Sequence, residues 1–196
     1  MAVVGDVFGL NTVYAKQVEN VENSNLTSWP ENADRGYWAG GDANAGTPTQ
    51  QSEINRFDFS TETKSTYPAI MSQAVKMAGS VSTNSYGYFT GGTNPPSVYC
   101  LIQRLDYSND SVSLPGTDVP SLLYQHAGTS TDSYGYFAGG YAGANRTCNI
   151  SRLDFSTESM SLPGNNMPSL RSLMTAVATN SYSYFGGGTK PAIGPP

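Results

Sequence analysis

One histidine, two cysteines and three Arg–Asp pairs are the residues whose types and spacing could do chemistry in this chain. His126 is the sole imidazole. A zinc or copper centre needs several nitrogen or thiolate ligands held together, and one histidine with two cysteines does not supply them. Ser-His-Asp catalysis would need a nucleophile setting such as Gly-x-Ser-x-Gly, and no serine has it. We therefore read His126 as a structural residue on an inner strand or loop. The chain reads as a non-enzyme, with no catalytic residue, no cofactor and no metal. Cys100 and Cys148 lie 48 residues apart. If 48 is a structural repeat, they occupy one site in adjacent repeats, farther apart than the limit of about 7 Å for a disulfide. Two free thiols, buried as small hydrophobes, are the expectation.

The pairs Arg56/Asp58, Arg104/Asp106 and Arg152/Asp154 recur at the same interval. Residues i and i+2 share a strand face, so each pair is expected to bridge within a repeat or between repeats. Asp106–Asp110 resembles part of a calcium loop but lacks its glycine and terminal glutamate, and reads as a plain hairpin. Tyr99, Tyr124 and Tyr141 stand beside loops and differ from repeat to repeat. Variable loop aromatics on a repeated scaffold suit recognition of proteins or sugars, so these three are the candidate binding residues if exposed; the alternative is packing in the core or between repeats.

The elements that must position these residues are repeats. Gly36-Tyr37-Trp38-Ala39-Gly40-Gly41 returns as Gly87–Gly92, as Gly135–Gly140 and as Ser183–Gly188. Ile54-Asn55-Arg56-Phe57-Asp58-Phe59 returns as Ile102–Tyr107 and Ile150–Phe155. Thr-Asn-Ser or Thr-Asp-Ser precedes the later aromatic segments, and Leu-Pro-Gly closes two copies. A period near 48 is that of a four-stranded supersecondary unit. The small apolar runs ending at Ser82, Ser130 and Thr179 predict an inner strand; the aromatic run predicts the next, ending where paired glycines allow positive φ. Ile-x-Arg-x-Asp alternates with period two, a strand signal, and a polar hairpin leads to a fourth strand.

Composition agrees with many short strands. Charged residues are 13%, against about 25% in typical domains, while glycine (21) and tyrosine (13) are abundant. A net charge of −5 with only ten basic residues argues against nucleic acid as a partner. No apolar run reaches the roughly 20 residues of a membrane span, and Met1–Lys16 lacks the pattern of a signal peptide.

The aromatic strand ending in Gly-Gly, the Arg-Leu-Asp-Phe strand, the short hairpin and Met167-Pro168-Ser169-Leu170-Arg171 together resemble Kelch repeats, from about residue 36 onward. The edge-strand tryptophan of Kelch blades is absent. The resemblance implies an all-β fold of Kelch-like β-propeller-type blades, about three and a half four-stranded repeats near 36–82, 83–130, 131–178 and a partial 179–196. Closed propellers usually need four to eight blades, so three and a half leave three readings: a truncated chain, several copies that assemble, or an open array on another protein, with assembly the favoured one.

Residues 1–35 match no repeat and read as an N-terminal arm. Val13, Tyr14, Val18 and Val21 fall on one side of a short predicted helix and, with Trp29, are candidate attachment residues. Val13–Asn20 and Ser28–Glu31, joined to these repeats, resemble virion proteins of marine tailed bacteriophages, especially cyanophages. That resemblance implies a bacteriophage virion structural protein, tail- or fibre-associated, displaying its blades for protein–protein contact or host recognition. The partners it implies are other virion proteins and copies of itself, with a host-surface glycan as a further candidate, and the virion is the expected location. The alternatives are a cytoplasmic Kelch-type interaction adaptor and a lectin-like glycan-binding module.

Overall fold

The computed structural model describes residues 35–43, 49–179 and 181–191. The expected helix and the candidate attachment residues Val13, Tyr14, Val18, Val21 and Trp29 lie outside the described residues. Within them, every regular element is a strand, and the strands form several antiparallel sheets.

Unit 1 contains β1 (Arg35–Ala39), β2 (Glu53–Asp58) and β3 (Thr63–Ile70), ordered β1-β2-β3. Unit 2 opens with β4 (Gly79–Ser82) and β5 (Tyr86–Thr90). A short hairpin of β6 (Thr93–Asn94) and β7 (Ser97–Val98) follows, and then β8 (Ile102–Asp106) and β9 (Ser111–Ser113). Its main sheet runs β4-β5-β8-β9. Unit 3 begins with β10 (Leu123–Tyr124), β11 (Ala127–Ser130) and β12 (Tyr134–Ala138). It continues through β13 (Tyr141–Ala142), β14 (Asn145–Arg146), β15 (Ile150–Asp154) and β16 (Ser159–Ser161). Its main sheet, β11-β12-β15-β16, repeats that of unit 2. Unit 4 is the pair β17 (Ser172–Ala178) and β18 (Ser183–Thr189).

The registers agree between copies. Tyr88 faces Arg104 and Tyr136 faces Arg152, as Tyr37 faces Arg56 in unit 1. Each four-stranded sheet takes its first strand from the end of one sequence repeat and the other three from the next. The predicted aromatic and Ile-x-Arg-x-Asp strands are observed. The inner strands β4 and β11 are shorter than the small apolar runs suggested, because the residues before them turn away through positive φ at Met77 and Gln125.

The core lies between the sheets. Ile54, Met71, Val75, Phe89 and Leu105 pack between units 1 and 2. Val81, Tyr88, Ile102, Phe137 and Leu153 do the same between units 2 and 3. Burying a leucine as completely as Leu105 or Leu153 contributes roughly 2 kcal/mol. The inner strands approach closely, and small residues are what permit it: a Cβ on Gly128 would stand 2.3 Å from the Ser80 carbonyl oxygen.

The paired glycines join one unit to the next. The second glycine of each pair donates its N–H to the segment leading into the following unit: Gly41 to Val75 O, Gly92 to Leu123 O and Gly140 to Arg171 O, each at 2.8 Å. The first glycine has positive φ and sits against that same carbonyl. A Cβ would lie 2.3 Å from it at Gly40, 2.1 Å at Gly91 and 2.5 Å at Gly139. These positions are glycine because a neighbouring backbone occupies the Cβ space.

Candidate functional site

The same side-chain contact joins unit 1 to unit 2 and unit 2 to unit 3, and it is built from three repeated positions. The ring after Asp in the third strand (Phe59, Tyr107 or Phe155) lies over the glycine of its own aromatic strand. A Cβ on Gly36 would be 3.1 Å from Phe59, on Gly87 2.7 Å from the Tyr107 hydroxyl, and on Gly135 3.3 Å from Phe155. The preceding unit then lays its tyrosine over that ring. Tyr37 stacks on Tyr107 at 4.8 Å between centroids, and Tyr88 stacks on Phe155 at 5.4 Å. Such offset stacks add about 1 kcal/mol beyond area burial.

Between units 2 and 3 the contact carries an ion pair. Glu158 accepts from Arg104 Nη1 at 2.6 Å and from the Tyr88 hydroxyl at 3.0 Å. Burial, then the bond to Glu158, pushes the Tyr88 phenol well above its ordinary value. The same carboxylate raises the Arg104 guanidinium. Glu158 has positive φ, as do its repeat counterparts Glu62 and Asp110.

These pairings differ from the expected Arg–Asp bridge. Asp106 and Asp154 turn instead into their own hairpins, accepting from the hydroxyl and N–H of Ser108 and Ser156. Asp58 does the same with Ser60 and Thr61. The serine hydroxyl bond is the first cause holding all three carboxyls low, to about 2 for Asp58. A hairpin N–H and hydroxyl two residues away are near and well aligned, while Arg104 reaches across to Glu158 of the next unit and Arg152 Nε donates to Ser161 Oγ of its own unit. Asp106–Asp110 is thus a hairpin turn.

Of the three candidate binding tyrosines, two meet. Tyr124 and Tyr141 are cross-strand partners and stack at 5.1 Å, and the Arg146 guanidinium lies 5.0 Å from the Tyr141 centroid. Arg146 Nε also donates to Ser172 Oγ of unit 4. Tyr99 is elsewhere, packed against the core between units 1 and 2. All three are half-buried, in keeping with the packing alternative, because the short ladders around them fold the loops back onto the sheets.

His126 is buried between units 2 and 3, its Nε2 2.9 Å from Thr90 Oγ1. The Thr90 hydroxyl donates to Gly79 O, so it accepts from Nε2–H. Nδ1 is then an acceptor without a partner among the described residues, as in a neutral ring. Burial lowers its pKa to about 4. Gly79 is glycine for this ring: a Cβ there would fall 2.3 Å from Nε2. Cys100 and Cys148 are free thiols, half-buried instead of fully buried; Cys100 Sγ faces Asp118 Oδ2 at 3.7 Å, and burial raises its pKa.

An open cavity of about 500 Å³ runs along β1 and the ends of the inner strands, lined by Arg35, Tyr37, Ser80, Tyr107, Thr129 and Val177 among others. Among the described residues no helix is long and apolar enough to cross a membrane. No protein-family model and no curated protein sequence matches the chain.

Sequence reasoning missed Glu158, Arg146 and the ring-over-glycine seat. The signal for the seat was present: Phe59, Tyr107 and Phe155 keep the 48-residue interval, as do Glu62, Asp110 and Glu158.

Proposed function

We propose that the chain is a structural protein of a bacteriophage particle, tail- or fibre-associated, whose units are Kelch-like β-propeller-type blades that make protein–protein contacts or recognise the host surface. The observation that carries this reading is the recurring contact between units. Equivalent glycine, tyrosine and aromatic positions join the three-stranded sheet of unit 1 to the four-stranded sheet of unit 2, and that sheet to unit 3, which is how arrays of repeated sheets are held. The resemblance of Val13–Asn20, Ser28–Glu31 and the repeats to phage virion proteins supplies the biological setting. Deleting residues 1–35 should leave units 2 to 4 folded and abolish incorporation into particles. Normal incorporation of the truncated chain would overturn the role of the arm.

Between protein contact and a lectin-like role, the tyrosine cluster favours protein contact. One face of Tyr141 is covered by Tyr124 and Arg146 lies over the ring, so a sugar stacking there would have to displace packed groups. Glycan-array binding that is lost in Tyr141→Ala would reinstate the lectin-like reading.

A further inference from the structure

The contact that joins units 1 to 2 and 2 to 3 has two sides, and among the described residues each side is also present with no further unit packed on it. The ridge side in unit 2 is Val81 and Tyr88, which pack against unit 3: a Cβ on Gly135 would reach Val81 Cγ2, and Tyr88 stacks on Phe155. Val81 is 5% exposed and Tyr88 1%. The repeat counterparts in unit 4 are Val177 and Tyr184, and these are 63% and 56% exposed. Gly187, the counterpart of Gly91 and Gly139, has nothing among the described residues within 4 Å of its Cβ position, whereas the other two abut a neighbouring carbonyl.

The seat side is present on unit 1. Phe59 lies over Gly36 as Phe155 lies over Gly135, yet Phe59 is 54% exposed. Glu62 beside it is exposed and has the positive φ of Glu158. The chain therefore carries a ridge on unit 4 and the seat for that ridge on unit 1, with Val177 and Gly36 both lining the open cavity, in the residue types that already pack together inside the molecule. Apolar groups of this size left open on both faces mark contact surfaces.

We propose that unit 4 of one copy packs on unit 1 of a second copy, head to tail, with Val177 and Tyr184 over Gly36 and Phe59. The inference deepens the reading of the units as propeller-type blades and rests on it. The contact is heterologous, so it generates a closed ring if the rotation closes and a filament if it does not. Nothing in it requires the two faces of one chain to meet.

Sedimentation velocity and native mass measurement of the 196-residue chain test this. The wild type should show concentration-dependent species at multiples of 20.8 kDa. Tyr184→Asp and Phe59→Asp should each shift the mass to a single chain. An equimolar mixture of the two variants should recover a dimer, because one chain retains the ridge and the other the seat. Circular dichroism and melting check that both variants fold, and Tyr184→Ser with Phe59→Ser replaces them if the aspartates do not. A wild type that stays at the mass of one chain at its highest soluble concentration overturns the proposal. So does an oligomer that survives both substitutions, and so does a mixture that remains monomeric. A monomeric wild type would defeat this inference alone, since incorporation through residues 1–35 is read by a separate experiment.

Discussion

Acid should destabilise this fold through one buried ring before its carboxylates contribute. His126 has burial as the cause of its low pKa, about 4 against an ordinary 6.5. The folded state holds it neutral while the unfolded chain takes up a proton below pH 6.5. Its contribution is therefore complete above that pH and is lost as pH falls toward 4. At 1.36 kcal/mol per pKa unit the full loss is roughly 3 kcal/mol, of which about 2 kcal/mol is gone by pH 5. The carboxyls of Asp58, Asp106 and Asp154 are also low, but their contributions are present above the ordinary carboxyl pKa and are lost only below it. The two effects occupy different windows. Urea unfolding at pH 7.5 and pH 5, with unchanged m-values, reads the histidine alone. His126→Gln keeps a polar group near Thr90 and removes the titration, so its stability should be nearly flat over the same interval. Wild-type stability that does not fall between these pH values, or a His126→Gln variant that falls equally, would refute the burial argument.

Further outcomes follow from the contacts between units. Gly139 and Gly143 both have positive φ, but a Cβ on Gly139 would lie 2.5 Å from Arg171 O while one on Gly143 would meet nothing within 4 Å. Gly143→Ala should cost about 1 kcal/mol, from backbone conformation alone, and Gly139→Ala clearly more, as measured by denaturant unfolding. A double-mutant cycle on Arg104→Ala and Glu158→Ala should give a coupling of about 1 kcal/mol, modest because both side chains remain partly solvated. Tyr88→Phe should weaken that coupling, since its hydroxyl shares the Glu158 carboxylate, and an unchanged value would show that the tyrosine bond is incidental.

Much of the local structure was legible in the sequence because a strand and its hairpin are written in neighbouring residues. Tyr86–Thr90, Ile102–Asp106 and their copies appear as predicted, and the Gly-Gly pairs do have positive φ. What the residues did not disclose is which groups meet across units. Arg104 finds Glu158, 54 residues on, instead of Asp106 on its own face. The i, i+2 argument gave the right face but ignored that a carboxylate bonds first with the hairpin beside it. Tyr124 and Tyr141 were placed near loops, but their stacking depends on the two-residue ladder of β10 and β13, too short to leave a pattern. The glycines carried a further message. Gly36, Gly87 and Gly135 recur because an aromatic ring lies on them, which is readable only once the Ile-x-Arg-x-Asp strand is known to fold back beside the aromatic strand.

The central claim is that successive repeats are joined through one recurring contact, and amide exchange at three glycines tests it most directly. Gly41, Gly92 and Gly140 each donate a 2.8 Å hydrogen bond to the segment leading into the next unit. Nitrogen-resolved hydrogen exchange on the folded chain should find all three protected to a similar degree, alongside the strand amides. Exchange at the rate of an unstructured peptide at any one of them would contradict the account at that junction.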